Sequence, residues 1–236
     1  MKLAIMQPYL FPYIGYFQLI NLVDKFVVYD DVNFIKKGWI NRNYILVDGK
    51  PYLFSLPLNN QSQFSKINKI YINSILFDSW KKKTLRTLEQ SYKKAPFFKE
   101  IYSLVENILN IGYKETDISV IATKSFIELS KYLDIKTEFV ITSAIYENQE
   151  LSGKERIIDI CKKENALHYI NPIGGKDLYD LDYFKENGLE LSFIKAMPIK
   201  YNQFKNEFAP YLSIIDVLMF NSIEETKLLL NKYELV

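Results

Sequence analysis

Two stretches near the N-terminus gather the residue types that small-molecule chemistry needs. One is Asp30-Asp31, placed directly after the apolar run Phe26-Val27-Val28-Tyr29. Side chains alternate at a strand end, so these carboxylates should point differently, one facing a site as general base or acceptor and the other capping the next turn. Two turn-forming aspartates are the plainer alternative. The other stretch, Lys36-Lys37-Gly38-Trp39-Ile40-Asn41-Arg42-Asn43, collects donors, a ring and a glycine. Arg42 suits a bidentate clamp on phosphate or carboxylate, Lys37 a compact charge beside it, and Trp39 a stacking surface for sugar or base. Asn41 and Asn43 add amides that donate and accept. A surface loop with an anchored Trp is the competing reading.

A third candidate precedes both. Gln7-Pro8-Tyr9-Leu10-Phe11-Pro12-Tyr13-Ile14-Gly15-Tyr16-Phe17 follows the short apolar run Leu3-Ala4-Ile5-Met6. Two prolines hold this turn extended, and Gly15 allows a close approach of chain or ligand. Gln7 is able to read a base, sugar or carboxamide, with Tyr9 and Tyr16 beside it, while Phe11 and Phe17 suit the core. The other candidates are weaker. His168 opens an apolar strand and reads as structural, and Cys161 lies in an apolar helical pattern that suits a buried, inert thiol. Gly174-Gly175-Lys176-Asp177 can cradle an anion but lacks the spacing of a phosphate loop, with Tyr179 able to line the same pocket. Lys81-Lys82-Lys83 reads as a solvated helix face.

These candidates need elements to hold them. Leu3–Met6 and Phe26–Tyr29 are short, continuous and apolar, as buried parallel strands are, and Tyr13–Val23 between them has helical spacing. Asp48-Gly49 predicts a hairpin between Tyr44–Val47 and Tyr52–Leu56. Lys69–Ile72 reads as a further strand. The spans 79–92, 96–109 and 118–132 are predicted as helices with no strand between them. Alternation then resumes, with strands over 137–141, 168–170 and 189–193 and a helix over 153–163 capped by Ser152. The spans 213–220 and 223–233 close the chain as helices. The expected fold is α/β, a mostly parallel Rossmann-like sheet with a β-hairpin and a helical insertion. Strand ends in such a sheet are where ligands bind.

Composition narrows the class. A chain of 236 residues suffices for one large α/β domain, and 48% hydrophobic with 25% charged residues is ordinary for a globular protein. The 18 Tyr and 16 Phe make 15% aromatics with Trp, suiting either an aromatic core or a ring-stacking site. A net charge of +2 argues against a dedicated nucleic-acid surface. One cysteine and one histidine permit neither an internal disulfide nor a zinc site of known spacing, so no metal is expected. Met1-Lys2 leads into only four apolar residues before Gln7-Pro8, so no signal peptide is expected. No apolar run approaches the ~18 residues of a membrane span. The expectation is a cytoplasmic protein without membrane insertion.

Residues 6–17, Asp30-Asp31-Val32-Asn33-Phe34 and Trp39-Ile40-Asn41-Arg42-Asn43 together resemble the opening of the WbqC-like family of bacterial proteins. The resemblance continues through Ser91-Tyr92-Lys93-Lys94-Ala95-Pro96-Phe97-Phe98, then Tyr169-Ile170-Asn171 with Gly174-Gly175, then the stretch from Phe208 to Leu218. It is nearly end to end, departing slightly at Met219-Phe220-Asn221-Ser222. The implied layout is one α/β domain over residues 1–236 with a mainly helical insertion at about 76–134. The opening also resembles the start of nucleotidylyltransferases and class I tRNA synthetases, which carry a His-x-Gly-His turn there. Here Tyr13-Ile14-Gly15-Tyr16 stands in its place with neither histidine.

The family resemblance implies a role in surface-polysaccharide and O-antigen biosynthesis, in the company of nucleotide-linked amino sugars. It brings no established catalytic residues. The expected function is a transferase that acylates or aminoacylates the amine of a nucleotide-linked amino sugar, using an activated acyl or aminoacyl donor on a carrier. In that reading Asp30 or Asp31 is the base, Lys37 and Arg42 hold phosphate or the donor carboxylate, Tyr9, Tyr16 and Trp39 pack on sugar or base, and Gln7 orients the reacting group. The alternatives are a non-catalytic sugar-nucleotide-binding or accessory protein, and a nucleotidylyltransferase-like enzyme.

Overall fold

The computed structural model describes residues 1–110, 116–205 and 207–236. Its architecture follows from the period-two alternation of strand side chains. In β1 (Lys2–Met6), Leu3 and Ile5 turn to one face of the sheet, Ala4 and Met6 to the other. In β2 (Lys25–Val28), Val27 joins the first face, Phe26 and Val28 the second. Both faces are therefore buried, and the strands read as unbroken apolar runs. The first face is covered by α5 (Gly153–Lys163) and α6 (Leu181–Glu186). The second carries α1 (Ile14–Leu22) and the larger core.

Among the described residues, six strands form one sheet in the order β5-β2-β1-β6-β7-β8. The other members are β5 (Glu138–Val140), β6 (His168–Pro172), β7 (Glu190–Ala196) and β8 (Tyr233–Leu235). Five are parallel, with Leu3 opposite Lys25 on one side and Tyr169 on the other; β8 runs antiparallel to β7. From β1 the chain steps outward to β2 and β5, then returns to the far side of β1 as β6. The winding reverses between β1 and β6, so their carboxyl ends diverge around a crevice. β3 (Arg42–Val47) and β4 (Lys50–Ser55) make a separate antiparallel hairpin. Asp48 and Gly49 both take positive φ at its turn, as a two-residue turn requires.

Between β4 and β5 run α2 (Ser74–Tyr92), α3 (Phe98–Asn110) and α4 (Ile118–Tyr132), all contributing to the larger core. Positions 111–115 of the expected insertion lie outside the described residues. α7 (Ile214–Phe220) and α8 (Ile223–Leu230) complete that layer, with a Ser222–Glu225 capping box opening α8.

Several boundaries differ from expectation. Lys69–Ile72 is no strand: a 3-10 turn covers Ile67–Lys69, and Tyr71 and Ile72 make only isolated bridges. α2 begins at Ser74 because the Asn73 side chain accepts from the Leu76 amide at 3.0 Å. Ser152 occupies the cap position of α5 but makes no capping bond. Residues 233–235 leave the helical pattern to pair with β7, a non-local partner that local spacing cannot reveal.

Candidate functional site

A cavity of about 1110 Å³ opens in the crevice between β1 and β6. Its floor is Ile5 and Met6 at the end of β1, Asn171 and Pro172 at the end of β6, and Ile194 of β7. The hairpin gives Asn43 and Tyr44, α5 gives Ile157, and the segment before α7 gives Tyr211 and Leu212. Rings dominate the walls, notably Tyr9, Tyr13, Tyr29, Trp39 and Tyr179. Among the described lining residues, Lys195 is the charged one, 3.7 Å from Glu234.

The turn after β1 is shaped by hydrogen bonds. Phe11 is buried with φ at 45°, a left-handed conformation that a bulky residue adopts only when its surroundings enforce it. Its amide donates to Ser125 Oγ (3.0 Å), and its carbonyl accepts from Asn43 Nδ2 (2.8 Å) and Ser213 Oγ (2.7 Å). Tyr16, fully inside, donates its hydroxyl to the Gln7 carbonyl at 2.9 Å. A side chain at position 15 would collide with the Tyr13 ring, so Gly15 lets that ring lie over the start of α1. Within this frame the Gln7 side-chain amide lines the cavity and has no hydrogen bond to any described residue. Tyr9 beside it is held protonated, since burial and then Tyr13 push its pKa up to about 12.

The expected site residues therefore divide. Gln7, Tyr9, Trp39 and Asn43 stand in the cavity wall. Asn43 is internally committed, since its amide oxygen also accepts from the Tyr44 N–H at 2.8 Å. Tyr16, Asn41 and Arg42 lie behind the wall. Asn41 donates to the Leu56 carbonyl (2.9 Å), while Arg42 donates to the carbonyls of Gly38 (2.9 Å) and Lys37, bracing the Trp39 loop. The clamp expected of Arg42 is thus occupied by backbone. Lys37 is exposed on that loop, outside the lining.

Asp30 and Asp31 are away from the cavity, and all four of their oxygens accept hydrogen bonds. Thr142 Oγ1 (2.8 Å), the Ser143 amide (3.1 Å) and Ser119 Oγ (3.1 Å) serve Asp30. Ser143 Oγ, Gln149 Nε2 (3.0 Å) and Arg156 Nη2 (2.6 Å) serve Asp31. Burial raises the Asp30 pKa despite its donors. Burial pushes on Asp31 too, but Arg156, Ser143 and Gln149 outweigh it and hold its pKa below the ordinary value. A carboxylate so engaged is a poor general base, so the geometry departs from the expectation for this pair. Tyr29, just before the pair, stands on the cavity wall, with Arg156 between its ring and Asp31.

Arg156, unforeseen in the sequence, is the partner that explains this knot. Both it and Asp31 are buried, and its guanidinium also donates to Asn148 Oδ1 (2.9 Å) and lies 5.0 Å over the Tyr29 ring. Nothing local marks it, because the pair spans 125 residues. The Asn171–Gly175 loop had a local signal and does join the wall. Gly175 leaves space for the Asn171 amide, which accepts from Tyr169 Oη (3.0 Å) and donates to the Pro172 carbonyl (3.0 Å). Among the described residues no three His, Cys, Asp or Glu side chains gather as a metal site, and no helix is long and apolar enough to cross a membrane.

Comparison with known proteins agrees with the resemblance. An uncharacterised protein of Mycobacterium tuberculosis, Rv1507c, is 29% identical over 223 residues, covering 93% of each chain. No solved structure matches. The model of the WbqC-like protein family matches residues 7–228, from the uncommitted glutamine to α8, and the chain belongs to that family.

Proposed function

We propose that the cavity binds a nucleotide-linked amino sugar and that the protein transfers an acyl or aminoacyl group to the sugar's amine. Membership of the WbqC-like family suggests involvement in polysaccharide biosynthesis, without assigning a reaction. The observation that carries this reading is Gln7. Its side-chain amide, with no hydrogen bond to any described residue, stands among rings at the point where doubly wound sheets hold their ligands.

In this reaction the amine nitrogen attacks the carbonyl carbon of an activated donor, a carrier thioester or an aminoacyl ester. A C–N bond forms, and the bond from that carbon to the leaving sulfur or oxygen breaks with its electron pair. One amine proton ends on the leaving group. Gln7 Oε1 accepts from the amine and directs its lone pair, while the neutral Tyr9 hydroxyl donates to the acyl oxygen. Trp39 and Tyr13 pack against sugar or base, and Lys37 on the exposed loop attracts phosphate at the rim.

A binding protein without turnover is the second reading. It is favoured by the lining, which among the described residues holds neither carboxylate nor histidine to serve as base. Incubation with amino-sugar nucleotides and a panel of acyl and aminoacyl donors, followed by mass spectrometry and thermal shift, separates the two. An added acyl mass, diminished by Gln7→Ala, is expected for the transferase. Ligand-induced stabilisation with no product leaves the binding reading, and neither response removes both.

A further inference from the structure

The cavity takes its lining from residues packed on both faces of the sheet, and these two sides, or lobes, differ in chemistry. On the hairpin side stand Gln7, Tyr9 and Trp39, with polar groups and rings mixed. On the α5 side the floor is Ile5 and Ile157, both almost completely inaccessible, flanked by Tyr29 and Tyr179. The polar groups around this second lobe are spent within the protein. Arg156 is held by Asp31 and Asn148, and the Asn171 amide by Tyr169 and Pro172.

The rim on that side is apolar as well, with Leu178 71% and Ile173 36% exposed on the turn after β6. These exposed aliphatic side chains are continuous with the concave apolar wall, so together they form one apolar surface rather than scattered single residues. Deep in this lobe the polar groups are few, chiefly the Tyr29 and Tyr179 hydroxyls, so a diphosphate or polyhydroxylated ring would lose more water contacts there than it regains. Lys195 supplies the complementary charge. By alternation it follows Phe193, which packs on the α5 face, and it lies exposed at the end of β7, its Glu234 contact loose at 3.7 Å.

We infer that the α5-side lobe binds the straight apolar chain of an acyl donor, with the donor's anionic end at Lys195. This deepens the acyl-transfer reading and rests on it for the word donor, but binding of the chain is measurable without any transfer. Straight-chain fatty acids from butyrate to dodecanoate serve as probes, displacing anilinonaphthalene sulfonate from the intact protein. Each added methylene should tighten binding roughly three- to fourfold until the lobe is full, after which affinity levels off.

Leu178→Asp, at an exposed position that the fold does not need, should flatten that dependence. Lys195→Ala should weaken every acid by a similar factor and leave the slope intact. Affinity independent of chain length, or a slope unchanged in Leu178→Asp, would overturn the assignment. Chain binding with no acylation of amino sugars would instead remove the transferase and keep the lobe.

Discussion

At the end of β1 the Gln7 amide has no partner among the described residues, whereas at the end of β2, the adjacent strand, every carboxylate oxygen is engaged. Both ends are strand termini in one parallel sheet, and both carry polar residues after an apolar run. The difference lies in what arrives from elsewhere. Over the end of β2 come the 142–149 segment and α5, bringing Ser143, Gln149 and Arg156. Over the end of β1 the winding reverses, and a cavity remains there that α1 and α5 line but, among the described residues, do not fill. Strand-end polarity thus builds a structural knot where the sheet continues and lines a cavity where it divides.

The largest effect should come from breaking the knot. Arg156→Ala leaves the Asp31 charge buried without its counter-ion, and should destabilise the fold by about 3–5 kcal/mol in urea denaturation. Were the loss below about 1 kcal/mol, the knot would not be the structural partner in this contrast. Next comes obstruction of the cavity. A Cβ at Gly174 meets nothing within 4 Å, so Gly174→Leu should fold normally yet weaken ligand binding by at least about tenfold, or roughly 1.4 kcal/mol. An unchanged ligand-induced thermal shift would remove Gly174 from the ligand wall.

A smaller change is expected at Gln7. Gln7→Ala should leave the melting temperature nearly unchanged and weaken nucleotide-sugar binding by about 0.5–1.5 kcal/mol in calorimetry. A stability loss without an affinity loss would make Gln7 a structural residue like Asn43. The subtlest test is pH. The folded-state pKa of Asp31 is depressed, so its stabilisation is present above the unfolded value of about 3.9 and disappears as pH falls through the folded one. Asp30, with a raised folded pKa, has the opposite sign: relative to the unfolded chain its ionisation costs stability as pH rises through that value. Asp31→Asn should therefore weaken the fold at neutral pH and reduce its acid sensitivity, whereas Asp30→Asn should not reduce it.

Much of the scaffold was legible because the signals were local. Phe26–Tyr29 reads as a buried strand from its run of apolar residues, and Asp48-Gly49 as a tight turn from the positive φ that both residues tolerate. α4 was expected at the residues where it occurs, since its apolar positions repeat over fifteen residues. β8 was missed because three residues carry no period and its partner lies some forty positions away. α6 was missed for a similar reason, being a six-residue helix defined chiefly by the Asp180 cap. In the site, Gln7 and Trp39 were recognisable by chemistry. Arg42 and Asn41 carry the same chemistry but turn it onto backbone carbonyls.

The order of residues by itself determined which segments become buried strands, where the turns fall and which polar groups stand at strand ends, because each depends on side-chain periodicity and local backbone preference. Tertiary structure alone decided which of those groups stay available. An amide or carboxylate is free only if no donor or acceptor is packed against it, and the partners that engage Asp30 and Asp31 come from more than eighty residues away. Long-range partners reach the carboxylates at one strand end, whereas those that reach the turn after the neighbouring one bond to the Phe11 backbone, so that among the described residues none engages the Gln7 side chain, which lines the cavity.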